Sequence, residues 1–486
     1  MRNWSRREWL TNTGAGFGGL ALRAMLGREN VAAAASTVAA AAGHAPAAPP
    51  SSANPFAAKP PPFAAKAKSV IFLFMYGGPS HLDLFDPKPE LAKWDGKPIP
   101  VYKPEDAFMG KTRNAAMPSP YAFRRHGQAG IDISEKYPHL AGCADDLCVV
   151  RSMRCESNNH APALFQMQSG SRMAGRPSIG SWVTYGLGTE NENLPAFVVL
   201  MDKLGAPVNG ALNWSSGFMP AAYQGVPFRP TGDPIAYLNP PAGVTAGQQR
   251  ARLDLLAKFN AEHQAANPGE SALAARIASY ELAFRMQSHA AAAVDLSAES
   301  RATRDLYALD DKTAGHFGRN CLLARRLVER GVRFVQVYSG GNEGPKAWDA
   351  HDDLKKNHDL HCAETDAPIA GLLKDLKSRG MLDETLVIWG GEFGRTPTAE
   401  GGKGRDHHAK AFTIWMAGGG IRPGTVYGAT DDFGYNVVEN PVTVPDLHAT
   451  ILHLLGFDHK RLTYPFGGRD YRLTDVSGEV LSPLLA

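Results

Sequence analysis

The chain has 486 residues, of which 44% are hydrophobic and 20% are charged, and its formal net charge is +3. This is ordinary globular composition, and so small a net charge excludes a charge-driven affinity for nucleic acid or for a membrane surface. The five cysteines form no Cys-x-x-Cys pair, which excludes the usual thiolate zinc site and a disulfide framework, although one bridge within residues 143–155 stays open.

The first 67 residues predict a targeting signal followed by a linker. Paired arginines at residues 6–7 precede a weakly apolar, Gly- and Ala-rich run over residues 11–26, a pattern typical of twin-arginine export signals. The alternative is a chance pair ahead of a disordered tail. We predict a signal region over residues 1–30 and an Ala/Pro-rich linker over residues 31–67, and hence a periplasmic or cell-surface protein. The signal is either cleaved near residues 32–42 or kept as an anchor that contacts the membrane.

Beyond residue 68, strand patterns alternate with helix patterns. Short, nearly continuous apolar runs are typical of strands buried on both faces, and they occur at residues 69–75, 147–150, 196–200, 332–337, 385–389 and 411–417. Helical periodicity lies between several of them. This alternation predicts an α/β domain over residues 68–486, with a mostly parallel central sheet and helices on both faces. Residues 205–310 do not show this alternation of strand and helix patterns. They predict an irregular cap followed by an Ala-rich helical insertion.

A loop rich in polar side chains follows the first predicted strand. It contains Ser80, His81, Asp83 and Asp86. Ligands of open α/β sheets bind beyond the carboxyl ends of the strands, where carboxylates suit hard cations and zinc also accepts imidazole. We predict that Asp83 binds a metal and that Ser80 contacts substrate. Asp86 has the alternative of capping a turn.

The second predicted strand leads to Arg154, Asn159 and His160, just ahead of a helix pattern. The free N–H groups and positive dipole end of a helix attract anions. We therefore predict that Arg154 and Asn159 bind substrate and that His160 is catalytic. The alternative for this turn is capping of the helix by Asn158 or Asn159.

A third cluster follows the strand predicted at residues 332–337. Asp349 and His351 lie two positions apart there, and mixed Asp/His sets of this type bind divalent metals. We predict both as metal ligands. The histidines and the carboxylate behind them, His358, His361 and Asp366, have a solvated helix face as the alternative.

A fourth cluster, Glu392 and Arg395, follows the strand predicted at residues 385–389. Glu392 is predicted to act as a base or to bind the metal, and Arg395 to hold an anionic oxygen pair in bidentate fashion. We assign catalytic roles to both. The alternative is a Glu–Arg pair that only stabilises the loop.

The fifth cluster is Arg405, Asp406, His407 and His408, on a Gly-rich segment predicted as a loop. We predict that Arg405 binds substrate and that Asp406 and His407 bind metal. Consecutive side chains on an extended segment point opposite ways, so one of the two histidines is expected to face the site. His448, in a later helix pattern, is either a core residue or a functional one.

Five motifs together resemble one protein family. They are Met75-Tyr-Gly-Gly-Pro-Ser-His-Leu-Asp-Leu-Phe-Asp-Pro-Lys, Arg176-Pro-Ser-Ile-Gly-Ser-Trp, Trp348-Asp-Ala-His, Trp389-Gly-Gly-Glu-Phe-Gly-Arg-Thr-Pro, and Gly404-Arg-Asp-His-His with Ala417-Gly-Gly-Gly-Ile. The chain resembles the uncharacterised, twin-arginine-exported bacterial proteins described as sulfatase-like, within the alkaline-phosphatase superfamily. The resemblance covers nearly everything after residue 68. It implies a central sheet with helices on both faces, bound divalent metals, and hydrolysis or transfer of phosphate or sulfate esters.

Two motifs depart from the pattern that the resemblance implies. The superfamily places a Ser, Thr or modified-Cys nucleophile at a helix start after the second strand, as Cys-x-Pro in typical sulfatases. Here His160-Ala-Pro162 occupies that place, and Glu392-Phe-Gly394 replaces the usual Asp-His-Gly. A hydroxyl or thiol nucleophile is therefore missing at the expected position, while a metal site with altered ligands remains possible.

The resulting prediction is an exported, metal-dependent hydrolase of an anionic sulfate or phosphate ester, either a small molecule or a glycan. By resemblance, Asp349 and His351 match a metal-binding pair, and His407 or His408 matches the last metal-binding histidine. The metal is zinc, calcium, manganese or magnesium. The alternative, which the missing nucleophile favours, is a non-catalytic protein of the same fold that binds an anionic polymer or a partner at the cell surface. No nucleic-acid partner is expected, and the oligomeric state stays open.

Overall fold

The computed structural model describes residues 56–108, 112–230, 234–235, 243–266, 271–342 and 344–486. The predicted signal region and the first part of the predicted linker, residues 31–55, lie outside the described residues. All five cysteines lie within them and are free thiols, so the bridge left open within residues 143–155 does not form.

The strands of the described residues are short and lie between residues 69 and 471. In chain order they are β1 (Ser69–Met75), β2 (Thr112–Ala116), β3 (Phe123–His126), β4 (Ile131–Ser134), β5 (Leu147–Arg154), β6 (Phe197–Leu200), β7 (Val226–Phe228), β8 (Phe334–Ser339), β9 (Thr385–Gly390), β10 (Gly394–Glu400), β11 (Gly404–His408), β12 (Phe412–Ala417), β13 (Thr425–Tyr427), β14 (Ala429–Thr430), β15 (Val437–Glu439), β16 (Val442–Thr443), β17 (Tyr464–Phe466) and β18 (Arg469–Tyr471).

The α-helices lie mostly between the strands of the main sheet. They are α1 (His81–Leu84), α2 (Glu90–Lys93), α3 (His160–Ser169), α4 (Ile179–Leu187), α5 (Ala246–Ala266), α6 (Ser271–Val294), α7 (Arg301–Leu306), α8 (Gly315–Glu329), α9 (Leu354–Ser378) and α10 (Val444–Leu454). Within the described ranges, none of these helices combines the length and the apolar character that a membrane crossing requires.

The main sheet has the strand order β13-β5-β12-β9-β1-β8-β6-β7, with β16 also paired to β5. Every pairing in it is parallel except those of β12, which runs antiparallel to both β5 and β9. The prediction of a mostly parallel α/β sheet is confirmed. Because β12 runs against its neighbours, it begins at the edge where they end.

The central strand β1 is buried along its whole length. Its residues alternate between two cores, with Ile71 and Leu73 in one and Phe72 and Phe74 in the other. Helices α8 and α9 contribute apolar side chains to the first core, and α4 and α10 contribute them to the second. Helices therefore cover both faces of the sheet, as predicted.

The three central strands end together. In the register of β1 with its neighbours, Met75 lies opposite Ser339 of β8 and Phe74 lies opposite Gly390 of β9. The polar loops that follow these strands consequently start at the same edge of the sheet, which is where open α/β sheets bind ligands.

A second, three-stranded sheet of order β11-β10-β2 also carries site residues. The sequence predicts a Gly-rich loop there, whereas the chain forms an antiparallel hairpin of β10 and β11. Gly401 and Gly402 allow the tight connection because they adopt φ values of 59° and 93°, in the region that favours glycine.

Residues 56–67, predicted as part of the linker, are bound to the domain. Phe56 is buried, and backbone N–H groups of Lys59 and Lys66 donate to the carbonyls of Leu187 and Leu454 at 2.8 Å each. This part of the predicted linker therefore packs against the ends of α4 and α10.

Among its described residues, the segment predicted as a cap and helical insertion contains three α-helices, α5, α6 and α7, and one strand, β7. That strand pairs with β6 at the edge of the main sheet, which the sequence pattern did not predict. Helix α6 packs Met286, Ala290 and Val294 into the first core. Helix α5 has no buried residue among those described.

Candidate metal centre

Polar loops from several strands and from the β10–β11 hairpin meet at one edge of the main sheet. The hairpin register places Arg395 directly opposite His407. Hydrogen bonds and ion pairs then connect residues that are up to 232 positions apart in sequence. The side chains brought together in this way are His160, Asp349, His351, Glu392, Arg395 and His407.

Gly77, just after β1, lets two of these loops approach closely. Its φ is +113°, and a Cβ at this position would lie 2.6 Å from the backbone nitrogen of Trp348. Its own N–H donates to Glu392 Oε1 at 3.0 Å. The glycine therefore holds the loop after β1 against the residue that precedes Asp349 and against the loop after β9.

One carboxylate oxygen lies among three imidazoles. Asp349 Oδ1 is 3.0 Å from His351 Nε2, 3.2 Å from His407 Nε2 and 3.4 Å from His160 Nε2. The Nε2 atoms of His351 and His407 are 2.8 Å apart. We call these four residues the Asp349 cluster. Zinc ligands at ~2.0–2.1 Å in a tetrahedral site are about 3.3 Å apart, and adjacent ligands of an octahedral ion are about 3 Å apart. The separations in the cluster match those of ligands that share one divalent ion.

The outer nitrogen of each imidazole faces a hydrogen-bond acceptor. These acceptors require a proton on Nδ1, so a neutral ring directs an unprotonated Nε2 towards the carboxylate. Acceptors behind metal-binding histidines fix the tautomer in the same way. The three bonds are from His160 Nδ1 to Glu392 Oε1 at 2.6 Å, from His407 Nδ1 to Asn158 O at 2.7 Å, and from His351 Nδ1 to Glu400.

The surroundings set the charges of the cluster. Burial alone would raise the pKa of the Asp349 carboxyl, but the Arg395 guanidinium and the neighbouring histidines hold this pKa well below its usual range. Burial lowers the pKa of His407 well below its ordinary value. Burial also lowers the pKa of His351, yet hydrogen bonds to Asp349 and Glu400 outweigh it and raise this pKa to about 9. Near neutral pH the cluster thus combines an ionised Asp349 carboxylate, a neutral His407 imidazole and a protonated His351 imidazole.

Glu392 and His160 form a buried pair. The Glu392 side chain is fully buried and accepts hydrogen bonds from His160 Nδ1 and from the N–H of Gly77. His160 Nε2 is buried too, and it makes no hydrogen bond to any described residue. Glu392 therefore orients the His160 ring, and the unused nitrogen faces Asp349.

Arg395 is engaged inside the protein rather than free for a substrate anion. Its side chain is fully buried, and its three nitrogens donate to Gly78 O at 2.9 Å, to Arg405 O at 3.1 Å and to Asp349 Oδ1 at 2.6 Å. The predicted bidentate clamp is not what this geometry shows, because the guanidinium instead fixes the Asp349 carboxylate.

Asp406, predicted as a metal ligand, lies beside the Asp349 cluster. Its Oδ2 accepts hydrogen bonds from Phe108 N at 2.8 Å and from the Thr112 hydroxyl, and its Oδ1 accepts one from His407 N at 2.7 Å. Burial raises the pKa of this carboxyl. The carboxylate therefore orders the backbone around His407.

Glu400 is the site residue that sequence reasoning missed. It hydrogen-bonds with His351 Nδ1, and ligand atoms of His351, Glu400 and Asp406 lie within 4.8 Å of one another. Its place at the end of β10 would have revealed it, but that stretch read as a loop. This second group adjoins the Asp349 cluster, and the His351 ring links the two.

Three other predicted site residues lie in a separate buried network. Arg405 Nε donates to Asp83 Oδ2 at 2.8 Å, Arg405 Nη2 donates to Oδ1 at 3.3 Å, and the Ser80 hydroxyl donates to the same carboxylate. The side chains of Arg405 and Asp83 are fully buried. The predicted metal role of Asp83 and substrate roles of Ser80 and Arg405 are therefore not supported, since their polar atoms serve this network.

The two residues predicted to bind an anion near α3 both precede this helix in the chain. The Asn159 side chain accepts a hydrogen bond from Ala161 N at 3.1 Å, which is the capping role weighed as the alternative. Arg154, the last residue of β5, is exposed. Its side chain makes no ion pair or hydrogen bond with the described part of the chain, so it remains available to a ligand.

Four further histidines are structural. His358 accepts a hydrogen bond from Ser80 N at 3.0 Å, and both it and His361 are fully buried, so they do not form a solvated face. Of the consecutive pair, His407 faces the cluster while His408 Nε2 lies 2.6 Å from Tyr435 O. The fourth is His448, whose buried Nε2 lies 2.9 Å from Met167 O.

The model of the family described as "Protein of unknown function (DUF1501)" matches residues 67–485 of the chain. No match was found among curated proteins.

Solved structures similar to the chain include a synthase, a sulfatase and a phosphonate monoester hydrolase. The lipoteichoic acid synthase LtaP from Listeria monocytogenes is 9% identical, with 87% of this chain and 78% of that chain covered and a TM-score of 0.36. The PsFucS1 sulfatase from Pseudoalteromonas sp. is 11% identical, with 80% and 67% covered and a TM-score of 0.34. The phosphonate monoester hydrolase SpPMH from Silicibacter pomeroyi is 14% identical, with 72% and 71% covered and a TM-score of 0.34. Sequence identities and TM-scores this low assign no activity or substrate to the chain.

Proposed function

The chain belongs to the DUF1501 family, and we propose that it is a metal-dependent hydrolase of an anionic sulfate or phosphate ester. One observation supports the proposal above all others. Three imidazole Nε2 atoms, with Nδ1 of each ring hydrogen-bonded to an acceptor, converge on Asp349 Oδ1 at 3.0–3.4 Å. Imidazole nitrogens and a carboxylate oxygen that converge in this way are the ligand types that a divalent ion takes in proteins.

The donor set fits a divalent ion. His351, His407 and Asp349 would hold it, since two imidazoles and one carboxylate are the ligands of many catalytic zinc sites, which keep a fourth position open for water or substrate. His160 Nε2, at 3.4 Å the most distant of the three nitrogens from Asp349 Oδ1, would border that open position. A divalent ion held there supplies Lewis acidity that polarises the ester and activates water.

His160 is the group of this chain that would move a proton. Its Nδ1–H is held by Glu392, which leaves Nε2 as the only ring nitrogen able to accept a proton. A buried carboxylate behind an imidazole orients the ring and stabilises the imidazolium once it forms. His160 therefore acts as the general base or acid in the proposal, in the place where a hydroxyl or thiol nucleophile was expected.

The anionic part of the substrate needs a positive group outside the buried networks. Arg395 and Arg405 are both occupied within the protein. Arg154 is exposed at the end of β5 and has no ion-pair partner among the described residues. A guanidinium binds sulfate and phosphate oxygens well, so we assign the first contact with the substrate anion to Arg154. The substrate class is an anionic small molecule or glycan ester.

The first test measures metal content by elemental mass spectrometry and hydrolysis of 4-nitrophenyl sulfate and 4-nitrophenyl phosphate. We expect about one divalent ion per chain in the wild type, with loss of both metal and turnover in Asp349→Asn. His160→Ala should keep the ion and lower turnover about 10²–10⁴-fold. His139→Ala, which changes an exposed histidine, is the matched control and should change neither quantity.

Two results would contradict the proposal in different ways. A stably folded wild type that takes up no metal on titration would remove the metal site altogether. A metal-loaded wild type that hydrolyses neither ester would favour the alternative, in which the same fold binds an anionic polymer or partner without catalysis.

We also propose that the protein is exported by the twin-arginine route and works in the periplasm or at the cell surface. The support is the arginine pair at residues 6–7 ahead of the apolar run over residues 11–26. Replacing both arginines by lysine and fractionating cells tests this. Unchanged export of the variant would refute the route.

A further inference from the structure

Helix α5 has two distinct faces. Its half-buried residues recur every three or four positions, which places them on one side of the helix. Arg250 on that side forms an ion pair with Glu281 of α6 at 2.8 Å, so this face lies against α6. The half-buried residues of α5 are Gln249, Arg250, Leu253, Ala257, Asn260 and Gln264.

The opposite face of α5 exposes large apolar side chains. Leu255, Leu256 and Phe259 are 55%, 37% and 60% exposed. Single exposed apolar residues are common on protein surfaces, but three within five positions of one helix form a stripe that water solvates poorly. Such a stripe marks a surface that another molecule covers.

The sequence of this face is complementary to itself. At about 100° per residue, Leu255 and Phe259 both lie about 160° around the helix from Ala257, and Arg252 and Glu262 both lie about 140° from it. A twofold axis passing opposite Ala257 would therefore place Leu255 of one copy against Phe259 of the other. The same axis would place Arg252 against Glu262.

We propose that the protein forms a twofold-symmetric dimer through antiparallel contact of two α5 helices, one from each copy. In such an isologous interface each contact occurs twice, so the dimer contains two apolar pairs and two ion pairs. Arg252 and Glu262 form no ion pair with the described residues of their own chain, and both charges are free for the partner. They are about 15 Å apart along one helix, too far to pair within it.

The interface is small. It consists of one helix face per copy, at the low end of the range for specific complexes, so we expect weak association with a dissociation constant in the micromolar range. Sedimentation equilibrium of the full chain, over concentrations that span that range, measures it directly. Circular dichroism and thermal melting confirm that each variant is folded.

Charge exchange makes the test specific. Arg252→Glu and Glu262→Arg should each weaken the dimer about tenfold, since like charges then face each other twice. The double exchange should restore it, because the pairs re-form with reversed polarity. Leu255→Glu with Phe259→Glu should leave only monomer. Val476→Glu, at a residue 82% exposed and far along the chain, is the control and should dimerise like the wild type.

Three results would overturn the proposal. They are a wild type that stays monomeric throughout the concentration range, a dimer that survives the paired Leu255 and Phe259 substitutions, and a double charge exchange that dimerises no better than either single one.

Discussion

The pairing of Asp83 with Arg405 is open to a quantitative test. In Arg405→Leu the Asp83 carboxylate would stay in the core without its cation, which costs about 3–5 kcal/mol. The carbonyls of Thr396 and Met117 would also lose donors that now lie at 3.0 Å each, adding about 1 kcal/mol in total. We therefore expect the free energy of unfolding to fall by about 4–6 kcal/mol.

This loss of unfolding free energy corresponds to a decrease in the melting temperature. Unfolding entropy is about 2.1 cal/mol/K per residue, or about 0.9 kcal/mol/K for a unit of roughly 430 residues, so the melting temperature should fall by about 4–7 °C. The exposed ion pair of Lys68 with Glu384 has the same 2.8 Å N–O separation, with side chains 59% and 53% exposed. Lys68→Ala is therefore the matched control and should change the melting temperature very little.

A second substitution separates charge from packing. Asp83→Leu in the Arg405→Leu background removes the stranded carboxylate, so the double variant should be more stable than Arg405→Leu alone. Thermal unfolding followed by circular dichroism measures both. If Arg405→Leu melts like the wild type and loses only turnover, Arg405 is a substrate ligand, and our assignment of it to a structural network is wrong.

The pH dependence of this difference has a definite sign. Burial raises the pKa of Asp83, but Arg405 outweighs it, and the wild-type pKa lies below the ordinary value of 3.8. The pair therefore stabilises the wild type fully above that value, and its contribution is lost as pH falls through the lower folded-state pKa. Arg405→Leu removes the largest lowering effect on the Asp83 pKa and keeps the raising effect of burial, so Asp83 takes up a proton more readily. As the pH falls, Asp83 should become protonated in the variant before it does so in the wild type. The difference in the free energy of unfolding between the two proteins should therefore become smaller.

Three further predictions concern the metal centre and the loop after β1 that contains Gly77. Glu400→Gln replaces the carboxylate behind His351 and should weaken metal binding about 10–100-fold in competition with a chromogenic chelator, whereas Glu439→Gln, at an exposed carboxylate, should not. Gly77→Ala would place a Cβ 2.6 Å from Trp348 N at a φ of +113°, and should lower both the melting temperature and the metal content. Bound metal should be released as pH falls through about 6, since protons compete for the imidazoles; metal content unchanged at pH 4 would contradict histidine ligation.

The sheet could be predicted because its strands carry their own signal. Residues 69–75 and 385–389 are almost continuously apolar, and only a strand buried on both faces buries so short a run completely. Their carboxyl ends then indicated where polar loops would converge. That reasoning predicted Asp349, His351 and His407 as metal ligands and His160 as catalytic, and the structure brings these four side chains together.

The hairpin β10–β11 could not be predicted in the same way. Gly394–Glu400 and Gly404–His408 are buried although they contain charged and polar side chains, so no apolar pattern marks them. Their side chains are satisfied by partners distant in sequence, as when Arg405 meets Asp83 across 322 positions. Residue type alone could not distinguish this structural arginine from a ligand-binding one, because the difference lies in the partner. Glu400 was not predicted as a site residue for the same reason.

The Asp349 cluster gathers four basic side chains around one carboxylate oxygen. Besides Arg395 Nη2, the groups that converge on Asp349 Oδ1 are three imidazole Nε2 atoms, and the Nδ1 atom of each ring lies against an acceptor on the far side. Such an arrangement is costly in a folded core, and proteins keep costly arrangements of this type mainly at functional sites. Because Glu392, Glu400 and Asn158 O already fix the rings, a cation would find its ligands in place and need no rearrangement of the chain. The metal-free protein should then be less stable than the loaded one, by an amount that grows with the free metal concentration relative to its dissociation constant.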